Sequence, residues 1–187
     1  MSTVLEITPL DISDVMIIRP KRFDDARGFF SEVYSRAACA EHGIHIDFVQ
    51  DNHSLSRITG TLRGLHFQAP PFAQDKLVRV TRGRILDVAV DIRKGSSTYG
   101  RHVAVELSAN NWRQLLVPVG FAHGFCTLEP DTEVVYKVSA IYDPKHEGGI
   151  FCFDRDLAIP WPVDSENAII SDRDKQLPHF GDLSSPF

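Results

Sequence analysis

One histidine and one arginine sit inside an apolar, strand-like run, Thr61-Leu62-Arg63-Gly64-Leu65-His66-Phe67-Gln68. Ten residues after the histidine, Lys76 heads the next such run, Lys76-Leu77-Val78-Arg79-Val80. A base and two cations on neighbouring strands suit proton transfer on an anionic substrate. Imidazole titrates near neutrality, and guanidinium and ammonium groups hold anions through charge-assisted hydrogen bonds. Strict alternation puts Leu62, Gly64, His66 and Gln68 on one face, with Arg63, Leu65 and Phe67 on the other, unless a bulge at Gly64 changes the phase. Arg79 is expected to join Arg63 in a cationic rim. Taken singly, each residue has a plainer reading: a strand histidine satisfied by the backbone, and a solvated lysine at a strand end.

The segment Pro118-Val119-Gly120-Phe121-Ala122-His123 has a PxGxxH spacing that resembles the second motif of the cupin superfamily. The first cupin motif supplies HxH and then a glutamate. Here the corresponding place reads His66-Phe67-Gln68, with no acidic residue until Asp75. A metal usually needs three protein ligands, which this pattern does not offer, so the reading is a cupin-type barrel without a metal. His123 is read equally well as an inward structural histidine or as a substrate contact. In Glu133-Val134-Val135-Tyr136-Lys137-Val138, alternation puts Val134, Tyr136 and Val138 on one face. Alone, Tyr136 reads as a core tyrosine and Asp174 as a solvated carboxylate.

The elements that must position these residues are short and β-rich. Strands are predicted over residues 15–19, 28–34, 46–52, 61–67, 76–81, 84–91, 103–107, 113–117, 124–128, 133–139 and 149–153. Gly83 is expected to make a tight hairpin between the runs on either side of it. One short helix is predicted over residues 36–42, stopped by Gly43, and a helical turn near residues 171–176. Pro118, Pro130 and Pro144 fall between strands, and the tail from Leu157 is irregular. The pattern predicts an all-β antiparallel fold, a cupin-type jelly-roll or β-sandwich barrel with a few short helices. Residues 1–187 are read as one domain, the irregular tail packing on the barrel.

The chain has 187 residues, 43% hydrophobic and 24% charged, with a formal net charge of −5. That charge argues against general nucleic-acid binding, which needs a basic field, but leaves room for a local basic pocket. No apolar run approaches the roughly 18 residues that a membrane span needs. Residues 1–9 show no basic-then-apolar leader. Cys39, Cys126 and Cys152 have no metal or redox spacing and read as reduced, buried thiols of a cytoplasmic protein.

Seven ordered segments together carry a family resemblance. They are Asp25-Ala26-Arg27-Gly28-Phe29-Phe30, Phe48-Val49-Gln50-Asp51-Asn52-His53-Ser54, Leu62-Arg63-Gly64-Leu65-His66-Phe67-Gln68 and Ala73-Gln74-Asp75-Lys76-Leu77-Val78-Arg79. Asp87-Val88-Ala89-Val90-Asp91-Ile92-Arg93, Gly120-Phe121-Ala122-His123-Gly124-Phe125 and Val135-Tyr136-Lys137 complete the set. Over residues 15–175 the chain resembles the dTDP-4-dehydrorhamnose 3,5-epimerases, cupin-like enzymes acting on sugar nucleotides.

The resemblance implies epimerisation of a dTDP-4-keto-6-deoxyhexose at C3 and C5, on the route to dTDP-L-rhamnose. No cofactor is implied, because the C4 ketone acidifies both positions. By the same resemblance His66 is the base, Asp174 orients it, Tyr136 is the proton donor and Lys76 stands beside the ketone oxygen. Arg27, Arg63 and Arg173 match the diphosphate and nucleotide end. Glu32, Gln50, Asn52, His123 and Glu147 match other binding positions. A pairing of Asp87 with His123 is expected from their inward strands. Family members form homodimers that exchange N-terminal strands, so Arg27 and Glu32 are expected to serve the partner's pocket. Two positions depart from the family: Ile141, followed by Tyr142, stands where a tyrosine is usual, and Arg173 where a lysine is. The first leaves open a mono-epimerase, with a ketoisomerase and a non-catalytic nucleotide-sugar-binding cupin as further readings.

Overall fold

A computed structural model describes residues 5–187; residues 1–4, the head of the segment read as free of a leader, lie outside the described residues. In chain order the strands are β1 (Glu6–Pro9), β2 (Met16–Arg19), β3 (Phe23–Asp25), β4 (Gly28–Phe30), β5 (Gln50–Ser56) and β6 (Leu62–Gln68). They continue with β7 (Lys76–Arg82), β8 (Arg84–Asp91), β9 (His102–Ser108), β10 (Gln114–Val117), β11 (Phe121–Thr127), β12 (Thr132–Val138) and β13 (Glu147–Gly149). One helix, α1 (Arg36–Glu41), lies between β4 and β5, and 3₁₀ turns form at Asp174–Gln176 and Phe180–Asp182.

Two antiparallel sheets face each other, in the order β1-β2-β10-β7-β12-β5 and β13-β6-β11-β8-β9. The layers follow from period-two patterning. Val78, Val80, Leu115, Val117 and Val134 from one sheet meet Ile85, Ala89, Val103, Phe121 and Phe125 from the other in the inner core. The outer face of the five-stranded sheet is also apolar, with Leu65, Val88 and Val90. The irregular tail covers it with Leu157, Ile159, Trp161, Phe180, Leu183 and Phe187. A buried Leu or Phe of this kind contributes about 1.5–3 kcal/mol, so the tail is held by packing rather than by regular hydrogen bonding. On the other outer face, α1 packs Ala38 and Cys39 against Ile18, Leu77 and Leu116. Its N-cap is Ser35, whose hydroxyl accepts from the Ala38 N–H. This is the cupin-type jelly roll expected from the strand spacing.

Gly83 makes a corner, not a hairpin: β7 and β8 belong to different sheets. One left-handed residue, with φ +77°, turns the chain from one layer to the other without pairing its flanks. The expected strand 28–34 is shorter, and pairs as β4 with an unpredicted β3. The strand expected over 46–52 runs from Gln50 to Ser56 instead. Its apolar start is used differently, with Ile46 and Phe48 packed beneath α1. The strand expected over 149–153 is only β13; beyond it the Phe151 N–H donates to Pro178 O in the tail. Strand β1 was also not expected. It pairs with β2 at a sheet edge, where an ending in Pro9 is tolerated.

The decisive local feature is a bulge in β6. His66 pairs with His123 and Arg63 with Phe125, so Gly64 and Leu65 together oppose Gly124. The extra residue resets the alternation. Arg63 and His66 both turn inward, while Leu65 turns out and is fully buried under the tail. Gly64 has φ +120°, and a Cβ there would stand 2.6 Å from Gly124 Cα and 2.7 Å from His123 O. Gly64→Ala is therefore expected to destabilise the fold by about 2–4 kcal/mol, from left-handed strain and overpacking together, read as a lower urea midpoint with an unchanged m-value.

Candidate active site

A cavity of about 510 Å³ opens between the sheets and is lined by Arg63, His66, Lys76, His123, Tyr136 and Asp174, among others. A second lobe of about 230 Å³ shares His66, Lys76 and Tyr136 and adds Gln50, Asn52, Gln68, Gln74, Tyr142 and Glu147. A cavity of equal size near β1–β3 has Arg19 paired to Glu6 and Arg22 to Asp24, and is lined by no histidine or tyrosine.

His66 sits on the wall formed by β6. Its Nε2 lies 2.8 Å from Asp174 Oδ1. An ionised carboxylate only accepts, so Nε2 carries the hydrogen and Nδ1 is the free base. Asp174 is brought 108 residues along the chain by the 3₁₀ turn at Asp174–Gln176. Its other oxygen, Oδ2, accepts from the Gly64 N–H at 3.3 Å, so the bulge that aims His66 also grips its partner. Burial pushes the Asp174 carboxyl up, but hydrogen bonds from His66, Gly64 and Ser171 outweigh it and hold it below the usual range.

Lys76 and Tyr136 come from the opposite wall, on β7 and β12. Lys76 Nζ donates to His66 O at 3.3 Å. Burial pulls the ammonium down to about 8, against the pull of Asp87 and Glu147. Burial also pushes Tyr136 up, against the Arg63 charge, so the phenol keeps its proton at neutral pH. One wall thus offers a base, and the other a proton donor and a cation.

The remaining expected residues divide. Arg63 reaches across to β5, where Nε donates to Ser56 Oγ at 3.2 Å and Nη2 to Leu55 O at 3.3 Å. Gln50 Nε2 donates to Asn52 Oδ1 at 2.9 Å, holding both amides in the second lobe. Glu147 pairs with Arg173 at the mouth. Burial raises the Glu147 carboxyl, and Arg173 and Tyr142 bring it below its ordinary value. His123 Nε2 meets Asp87 Oδ1 at 2.6 Å, the pairing expected from their strands. Gln68, at the place of a cupin ligand, spends its amide on the backbone of Asp143.

Three residues fall elsewhere. Arg79 is on the outer face of its sheet beside Leu77 and Val135, so it forms no rim with Arg63. Alternation from Lys76 already places it there. Arg27 and Glu32 line neither lobe; Arg27 stands on the β3–β4 hairpin with its side chain 90% exposed, paired to Asp25. Tyr142, noted only as the neighbour of Ile141, was not expected in the site. Ile141 is 59% exposed and lines neither lobe, whereas the next residue, Tyr142, donates from its hydroxyl to Glu147 Oε2 at 2.6 Å. The Tyr142 N–H donates to Gln50 Oε1 at 3.2 Å, and its side chain lines the second lobe. The loop after β12 has no two-residue period, so only the ring itself could have signalled it.

A cupin-type barrel with a carboxylate-held histidine facing a tyrosine and a buried lysine defines an acid–base isomerase of the cupin class. Residues 9–182 match the family described as dTDP-4-dehydrorhamnose 3,5-epimerase. A relative of that name from Sinorhizobium fredii is 48% identical over 178 residues, covering 95% of this chain and 91% of the relative. The crystal structure of the Bacillus anthracis 3,5-epimerase, with TDP and PPi bound, is 48% identical. It superposes with a TM-score of 0.91 over 94% of this chain and 99% of that one. The Legionella pneumophila dTDP-6-deoxy-D-glucose-3,5-epimerase, in complex with dTDP-4-keto-L-rhamnose, is 42% identical with a TM-score of 0.92, covering 96% and 95%. The chain belongs to the dTDP-4-dehydrorhamnose 3,5-epimerase family.

With Lys76 titrating at about 8, kcat/KM is expected to fall as pH rises through that value, because the ammonium loses its charge. Lys76→Gln is expected to be slow throughout and to lack this limb, which kcat/KM profiles from about pH 6 to about pH 10 will read. Asp174→Asn is expected to lower kcat about 10²–10⁴-fold by presenting the wrong histidine tautomer.

Proposed function

We propose that this protein epimerises dTDP-4-dehydro-6-deoxy-D-glucose at C3 and C5, giving dTDP-4-dehydro-L-rhamnose on the route to dTDP-L-rhamnose. The observation that carries the reading is the opposition of His66 and Tyr136 across one cavity. Inversion at carbon needs a proton removed from one face and returned to the other, and the two groups belong to facing sheets.

His66 Nδ1 removes the proton next to the C4 ketone. The electron pair moves onto the ketone oxygen, where the Lys76 ammonium stabilises the enolate. Tyr136 then protonates the same carbon from the other wall. The phenolate that remains takes a proton from solvent, and the His66 imidazolium gives one up to solvent, which resets the pair. The same cycle at the second carbon completes the reaction. No electron is gained or lost, because the ketone is both the sink and the source, so the chemistry calls for no redox cofactor. Arg63 and Arg173 supply positive charge for the diphosphate, and Gln50, Asn52 and Glu147 supply polar contacts at the second lobe. Tyr142 supports action at both carbons, since it restores a phenol where Ile141 departs from the family.

We further propose a homodimer. The β3–β4 hairpin projects Phe29 and Phe30, 56% and 70% exposed, which favours a second copy covering it. Arg27 and Glu32 then serve the partner's pocket. Three free, buried cysteines fit a cytoplasmic setting. Among the described residues no helix is long and apolar enough to cross a membrane.

Incubation with dTDP-4-keto-6-deoxyglucose in D₂O, read by NMR, is expected to place deuterium at both C3 and C5. Label at a single carbon would make the protein a mono-epimerase, and a moved carbonyl a ketoisomerase. His66→Ala and Tyr136→Phe are each expected to lose about 10²–10⁴-fold in turnover while keeping the fold, by circular dichroism. Mixing inactive Arg27→Ala with inactive His66→Ala subunits is expected to restore about one quarter of wild-type activity, since half the dimers are mixed and each has one intact pocket. No recovery would place Arg27 in its own pocket or outside the reaction.

A further inference from the structure

Behind His123 lies a carboxylate that the proton-transfer scheme does not use. Asp87 is turned into the barrel from β8 and is fully buried. Its Oδ1 accepts from His123 Nε2 at 2.6 Å, while its Oδ2 is buried without a hydrogen-bond partner. A half-satisfied carboxylate is costly in a dry core unless a positive charge stands near it. The buried cation on the facing sheet is Lys76. Its Nζ makes one hydrogen bond among the described residues, to His66 O, so two of its N–H bonds remain available.

We propose that Asp87 is a positioning residue for the reaction: one oxygen fixes His123, and the other is the counter-charge that holds the Lys76 ammonium at the ketone. This deepens the epimerase reading and rests on it for the task given to Lys76.

The other charged groups around Lys76 are committed elsewhere. Glu147 on β13 is taken up by Arg173 and Tyr142. Asp174 is taken up by His66 and the Gly64 N–H. Asp75, next to Lys76 in the chain, accepts from the Val119 N–H and from Ser139 Oγ. Arg63, Arg173, His66 and His123 bring no negative charge. Tyr136 on β12 is kept a neutral phenol by burial, and Tyr142 by its bond to Glu147. Asp87 is thus the carboxylate near the ammonium that has a buried oxygen without a donor and no arginine to offset its charge. Burial is the larger influence on Lys76, and Asp87, ahead of Glu147, is what opposes it. Its fixed place beneath His123 lets it act without entering the cavity, where it would repel the diphosphate.

The test is an NMR titration of the full-length protein carrying ¹³Cε-lysine, without substrate, Lys76 being the resonance lost in Lys76→Arg. Wild type is expected to titrate at about 8. In Asp87→Asn the midpoint is expected to drop by about one unit or more, and the alkaline limb of kcat/KM to move down with it. Asp87→Glu is expected to return both. A residue that only packs would lower activity evenly across pH and leave the midpoint in place, which would overturn the proposal. Glu147→Gln, with Asp87 present, is expected to keep the midpoint within about half a unit. A larger drop would make Glu147 the counter-charge and overturn the assignment, even if Asp87→Asn does not fold. The titration needs no substrate, so failure of the epimerase reading in D₂O leaves this result separately readable.

Discussion

The orientation of the histidine in the cavity depends on one contact, the hydrogen bond of 2.8 Å between His66 Nε2 and Asp174 Oδ1. The contact joins a regular strand to an irregular tail, and each side has its own means of staying in place. On the strand, Gly64 adds one residue to β6, which turns Arg63 and His66 to the same side and exposes a backbone N–H to Asp174 Oδ2. On the tail, Ile169 exchanges backbone hydrogen bonds with Gly60 and Leu62, and Pro178 O accepts from the Phe151 N–H. Between those two anchors the 3₁₀ turn has little freedom. A packed apolar face does the rest, because the buried side of the tail covers the sheet that carries the base. The same segment that seals the outer core therefore sets the histidine tautomer.

The walls of the cavity perturb acids and bases in directions that suit proton transfer. Burial disfavours whichever form is charged. For Tyr136 this keeps the phenol protonated, as a donor must be. For Lys76 the same effect works against the ammonium, bringing it to about 8 where it is still charged at neutral pH. A lysine so poised interacts strongly with any negative charge beside it, because a dry site screens its charge poorly. The carboxylates respond oppositely. Asp174 and Glu147 are both held ionised by donors that outweigh their burial. Burial alone would neutralise such a site; the hydrogen bonds decide which groups keep their charges.

The barrel and the arm outside it make different demands on the sequence. Inside, apolar positions alternate and glycine appears where backbones touch, as at Gly64 against Gly124. Outside, residues 21–30 are all exposed, aromatic rings included. Phe29 is steadied edge-on against Trp112, 4.8 Å between centroids, with the Arg22 guanidinium 5.2 Å above the Phe29 ring. An exposed aromatic hairpin braced in this way has little to gain within a single chain.

Much of the fold was legible in the sequence, because short runs of period-two hydrophobicity broken by proline and glycine leave few alternatives to an antiparallel sandwich. The core positions on β7, β8, β11 and β12 follow from that period, and so does the outward position of Arg79. His66 and Lys76 were also legible, as unusual polar residues within apolar strands. What the sequence alone did not decide were the breaks in the period. The bulge at Gly64 shifts Arg63 by one face, the corner at Gly83 moves a strand to the other sheet, and the loop after β12 brings in Tyr142 rather than Ile141. Asp174 lies furthest from local reading. On its own it is one carboxylate in a polar segment, and only the closing of the tail over the barrel, 108 residues from His66, makes it a partner. Local patterns are fixed by contacts between near neighbours, whereas pairings of this kind depend on chain ends brought together by the burial of a distant apolar face.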